Sequence, residues 1–270
     1  MNKMNKIMIG LLVATVLCAG TALAVRGPQG VSYTTHNLST SADSTYGNVY
    51  VSDNETQVCV FCHTPHGGSL DGPLWNRSTP GTSYTHYNSA SLSSYLQGLG
   101  VNRAVEKESL LCLSCHDGSI AINSLINTSN SVPLPTHFGG QSITIPIGFS
   151  AFGPVPGPQV GASLADLSSH GDLSDDHPIS FKYKSVHDLN STEFKDISTA
   201  EGNGVRFFPL NASDADKRVE CSSCHDPHVM YDPLYQLNGT TTNPNADEEY
   251  RPFLITSNAG SALCLACHSK

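Results

Sequence analysis

The chain has 270 residues, with 23 acidic side chains against 14 basic ones and a net charge of −9. That balance provides no electrostatic footprint for nucleic acid, and neither a phosphate-binding glycine loop nor βαβ alternation stands in the sequence. Only 14% of residues are charged and 7% aromatic, while Ser, Thr, Asn, Gly and Pro abound. Long hydrophobic periodicities are therefore scarce, and the polypeptide alone makes a thin core.

Residues 1–24 carry Lys3 and Lys6, an apolar run from Ile7 and the small-residue ending Ala22-Leu23-Ala24. This is the pattern of a secretory signal peptide cut after Ala24. The apolar run is shorter than the roughly 20 residues of a spanning helix, so the mature chain is expected to be exported without a transmembrane segment. Cys18 falls in the removed part, which leaves eight cysteines.

All eight lie in four copies of CxxCH: Cys59, Cys62, His63; Cys112, Cys115, His116; Cys221, Cys224, His225; and Cys264, Cys267, His268. No thiol remains for a disulfide framework. In CxxCH two thiols lie along one edge of a porphyrin and add to its vinyl groups, and the next residue carries its imidazole under the iron. Zinc ribbons and redox CxxC pairs do not require a histidine directly after the second cysteine. Four covalently bound haems c are expected, with His63, His116, His225 and His268 as proximal ligands.

Each iron then needs a sixth ligand or keeps an open position. Eight other histidines are available. His66 and His228 stand in "CHTPH" and "CHDPH", where the proline bend keeps the second ring from the same iron and suits it to the next haem. His36 in "HNLS" and His187 in "HDLN" stand upstream of Cys59 and Cys221, and His177 in "DHPIS" lies on a rigid turn ahead of the alternating stretch Ile179 to Tyr183. His36, His66, His177, His187 and His228 are thus five distal candidates for four positions. His86, His137 and His170 sit in Ser/Tyr-, Pro- and Gly-rich surroundings and read as loop histidines.

In each half a His-Asn/Asp-Leu phrase precedes CxxCHxPH and then Leu-Cys-Leu-x-Cys-His, as expected for a duplicated two-haem module. The modules are residues 25–131 and 177–270, joined by a Pro/Gly-rich linker or loop at 132–176 with one extended piece at "SITIPIGF". Short helices are expected at "SLLCLSCHDG", stopped by Gly118, and at "SALCLACH", each with Ser or Asn capping options before it. The predicted fold is mostly irregular coil with short α-helices and few short strands, organised around the haem chain. Phe61, Leu74, Trp75, Leu111, Leu113 and Leu263 are expected to pack on the macrocycles. Haem propionates would deepen the acidity and suit docking to a basic redox partner.

"CVFCHTPHGG…PLWNR", "CLSCHDGSIA" and "DHPISF" resemble the doubled-CxxCH multihaem c-type cytochromes of metal-respiring bacteria. With four haems and this length, the chain is most similar to the extracellular tetrahaem cytochromes that polymerise into conductive filaments, the OmcE-type nanowire subunits. The resemblance implies little regular secondary structure, bis-histidine haems, an extracellular or cell-surface location, and as partners its own copies, other cytochromes, and metal oxides or electrodes. It also implies a distal histidine crossing between subunits, with His36 as donor and the haem at Cys264 and Cys267 as acceptor. A monomeric periplasmic or outer-surface shuttle would use the same haems. A multihaem reductase would need one iron with an open position, and distal histidines are in excess, so the chain is not expected to be an enzyme.

Overall fold

The computed structural model describes residues 28–42, 52, 54–69, 72, 74–117, 120, 124–127, 137–138, 141–142, 171–210, 217–229, 250 and 252–269. The signal segment, Gly118, His170 and most of the 132–176 segment lie outside the described residues.

Within them the chain is mostly coil, as composition predicts. The helices are α1 (Pro28–Val31), α2 (Ser94–Leu99), α3 (Lys107–His116), α4 (Tyr183–Leu189), α5 (Ile197–Gly202) and α6 (Ala262–Cys267). The strands are β1 (Thr85–His86), β2 (His137–Phe138), β3 (Gln141–Ser142), β4 (Asp172–Leu173), β5 (Phe181–Lys182), β6 (Phe208–Pro209) and β7 (Lys217–Val219). None of these helices is long and apolar enough to cross a membrane. Ser142 of the expected extended piece is on β3, which pairs antiparallel with β2.

The two helices expected over cysteine motifs are α3 and α6, but their caps differ from expectation. Glu106 precedes α3 without a side-chain cap, and Ser261 precedes α6 at φ 64° with none. Elsewhere capping is local: Ser93 Oγ accepts from Leu96 N and Asp196 Oδ1 from Thr199 N, and Gly100, at φ 76°, ends α2. The stretch after His177 turns from β5 straight into α4, so its alternation persists for two residues only.

β7 lies between β5 and β6, both antiparallel to it, with Phe181 opposite Val219 and Phe208 opposite Arg218. This small sheet, α4, α5 and α6 bury Phe181, Tyr183, Val186, Ala200, Val219, Leu263 and Ala266 in one core, and Leu96 of α2 joins it from the first half of the chain. A second cluster joins Tyr84, Val105 and Leu113 to Leu173, and β1 pairs in parallel with β4. The two sequence halves therefore share both cores. Polar contacts close the same joint: Arg103 Nη2 donates to Ile179 O at 3.0 Å, and Glu106 N to Ser180 Oγ at 2.9 Å.

The backbone repeats one arrangement after the first and third motifs. After the first motif, Thr64 N donates to Leu74 O (2.8 Å) and Asn76 N to Cys62 O (2.9 Å). After the third, Asp226 N donates to Phe253 O (2.8 Å) and Ile255 N to Cys224 O (2.9 Å). The crossing residues, Leu74 at φ 56° and Phe253 at φ 58°, share the left-handed region that side chains rarely adopt.

Candidate functional site

The four CxxCH motifs adopt two geometries in alternation. The first and third begin in single 3-10 turns, Cys59–Phe61 and Cys221–Ser223, in which His63 N donates to Cys59 O (2.8 Å) and His225 N to Cys221 O (3.0 Å). The second and fourth close α3 and α6, where a spacing of three puts both thiols on one helical face. His268 N donates to Cys264 O at 2.9 Å, and its ring lies 4.9 Å from that of Phe194.

All eight thiols are free; Cys59 and Cys264 are exposed and the rest half-buried. Their neighbours run in sequence order. Cys62 lies by Cys115, Cys112 donates to Cys221, and Cys224 lies near Cys267. Burial, then Cys115, pushes the Cys62 thiol up to about 12, and burial, then Cys267, does the same for Cys224. The bond to Cys221, then burial, raises Cys112, and the same bond lowers Cys221 against the effect of its own burial. A thiol held neutral is a poor redox nucleophile. Among the described residues no group of three or more His, Cys, Asp or Glu gathers as a metal site either.

The histidines instead meet in twos. His36 faces His116 with ring centroids 6.0 Å apart, His63 faces His228 at 6.3 Å, and His177 faces His268 at 6.4 Å. Metal–imidazole bonds run about 2.0–2.1 Å and the ring centre lies about 1.1 Å further on, so imidazoles on opposite faces of one ion hold their centroids about 6.3 Å apart. The rings of His36 and His116 and of His177 and His268 meet edge-on at 71° and 79°, while those of His63 and His228 are nearly parallel at 20°. Each pair joins one CxxCH histidine to one distal candidate.

No family model matches the chain, and no curated protein matches it.

Hydrogen bonds at Nδ1 sort the rings further. His177 Nδ1 lies 2.8 Å from Pro178 O, His225 Nδ1 2.7 Å from Pro252 O, and His228 Nδ1 2.8 Å from Asp226 Oδ1. These partners only accept, so Nδ1 carries the proton and the Nε2 lone pair is left for a metal. His36 has a buried Nδ1 with no hydrogen-bond partner among the described residues. Burial, then His116 and His228, pushes His36 down to about 3, which keeps it neutral. His86 is the opposite case: it is buried on β1 rather than in a loop, its Nε2 lies 3.0 Å from Arg103 O, and burial lowers it to about 4. It holds the fold. His137 lies on β2.

His36, expected from the resemblance to reach a neighbouring subunit, lies against His116 of its own chain. His177, not His187, occupies the place in the second half that His36 has in the first, since both face the histidine of an LCLxCH motif. His187 sits on α4, 3.3 Å from Asp188, and His66 is exposed. Among the described residues no histidine faces His225 at the paired spacing.

Glu220, just before the third motif, is a residue the sequence did not single out. Its carboxylate is 1% exposed and accepts from Ser109 Oγ (2.5 Å) and Ser180 Oγ (2.9 Å), while Ser109 Oγ accepts from Cys221 N (3.0 Å). Burial pushes its carboxyl from 4.5 up to about 8 in spite of these donors. Between those values the folded chain holds a proton that the unfolded chain has released, so stability falls as pH rises. Glu220→Gln is expected to flatten this slope by about 1.4 kcal/mol per pH unit between about 4.5 and 8. Thermal melts at pH 5 and 8.5 check it; parallel losses in both proteins would count against the assignment.

Proposed function

We propose that the chain is an exported tetrahaem c-type cytochrome that transfers electrons and assembles head to tail into a filament at the cell exterior. The observation that carries this reading is the set of three histidine pairs at 6.0–6.4 Å, each containing one CxxCH histidine. A haem bound there supplies one-electron exchange between ferric and ferrous iron.

The chain's own residues do the rest. The cysteines would hold the four haems, and their thiols neighbour one another in sequence order. His36 and His116, His63 and His228, and His177 and His268 would close both axial faces, which leaves no substrate position on those irons and speaks for a conduit rather than an enzyme. Phe61, Leu113 and Leu263 are buried beside the motifs, whereas Leu74 is 54% exposed.

Assembly follows from the unmatched histidines. His63 of the first half faces His228 of the second, so the first CHxPH motif takes a partner from the second. Among the described residues no histidine faces His225 at the paired spacing, and none faces His66 of the first half. His66 of the following subunit is the matching donor. The relation is head to tail, and such heterologous contacts run on into open polymers. Redox cytochromes and extracellular metal oxides or electrodes are the corresponding partners.

The test is the protein matured in a host that attaches haem c. Haemochrome assay should give four haems per chain, and electron paramagnetic resonance should show low-spin ferric iron only. Fewer haems, or zinc on the thiols, would overturn the reading; four low-spin haems in discrete particles at all concentrations would keep the cytochrome and remove the filament.

A further inference from the structure

We infer that Asp226 tunes the haem held between His63 and His228, lowering its potential below what a neutral hydrogen-bond acceptor would set; the inference rests on the tetrahaem reading above. Asp226 follows His225 and reaches forward over the proline, where Oδ1 accepts from His228 N at 2.9 Å and from His228 Nδ1 at 2.8 Å. Its side chain is only 12% exposed, although that of His228 is 40% exposed. A carboxylate cannot donate, so the Nδ1 proton is shared toward an anion and the imidazole becomes a more basic donor at Nε2. A more basic axial ligand favours ferric over ferrous iron.

The other Nδ1 contacts lack this feature. His177 and His225 give their protons to the backbone carbonyls of Pro178 and Pro252, which bear no charge. His187 meets Asp188 at a longer 3.3 Å, and that carboxylate is half-exposed and bound to Lys184 Nζ at 2.6 Å. Asp226 has a moderator of its own, because Oδ2 accepts from Arg206 Nη1 at 3.0 Å. Arg206 draws charge away from the carboxylate and so works against it. The first half has Thr64 at the place of Asp226, so the device belongs to one haem.

The experiment is spectroelectrochemical titration of the holoprotein and two variants. Asp226→Asn is expected to shift one haem in four toward the ferrous state by about tenfold, which is 59 mV upward for a one-electron couple. Arg206→Gln is expected to move the same haem downward. A purely structural contact would disturb haem loading or stability but would not give opposite signs. Titrations that overlay the wild type, from variants with four low-spin haems, overturn the inference. If Asp226→Asn does not load haem, Arg206→Gln decides alone: a downward shift supports it and no shift overturns it. A wild-type chain without four haems overturns the underlying reading instead.

Discussion

His66→Ala is expected to abolish polymers while leaving four haems attached, and to convert one iron in four to the high-spin form. His66 is exposed, Thr64 Oγ1 donates to the His66 carbonyl at 2.9 Å, and Asn127 Nδ2 donates to the same carbonyl at 2.9 Å. Those bonds involve the backbone, so removing the imidazole leaves the turn in place and the folded subunit intact. What it removes is a CHxPH histidine of the first half that faces no other histidine among the described residues. His187→Ala is the matched control and should keep both the polymers and the spin state. Negative-stain microscopy with paramagnetic resonance reads both; normal filaments from His66→Ala, or their loss from His187→Ala, would relocate the junction.

His36→Ala is expected to give the complementary result: filaments persist, and the haem at Cys112 and Cys115 becomes high-spin and open to added imidazole or carbon monoxide. His36 lies 6.0 Å from His116 and 4.4 Å from Phe253, inside one chain. The variant removes one axial ligand and leaves Phe253 as an apolar wall over the gap. About a quarter of the iron should change spin state, and added imidazole should restore it. If His36→Ala instead dissolves the polymers with all haems still low-spin, His36 is the subunit-crossing donor and the intrachain pairing is wrong.

The cysteine motifs and their helices were legible because CxxCH is local chemistry with fixed spacing, and the coil-rich architecture was legible from the lack of periodicity. The partnership of the histidines was not. By its letters His187 in "HDLN" matches His36 in "HNLS", yet the residue that faces His268 is His177. Short phrases record which residues are present, while pairing depends on how β5 and α4 carry each ring, and that is set by the core around Phe181 and Val186. His86 was misread for a similar reason, since its partner Arg103 O is brought close by tertiary packing. Glu220 stayed hidden because Ser109 and Ser180, which define its site, come from distant parts of the chain. Helix caps failed at α3 and α6 because tertiary contacts such as Glu106 N to Ser180 Oγ take over at the first, and a left-handed Ser261 starts the second.

Leu74 and Phe253 carry the same unfavourable torsion at the same crossing, although the residues around them have diverged from Leu-Trp-Asn to Phe-Leu-Ile. Such a conformation costs about 1–3 kcal/mol in a residue other than glycine, and neither half has shed it. Each crossing is held by two backbone bonds to its own cysteine turn, Thr64 N to Leu74 O with Asn76 N to Cys62 O in the first and Asp226 N to Phe253 O with Ile255 N to Cys224 O in the second, so the torsional cost falls where the chain is pinned beside a CxxCH histidine.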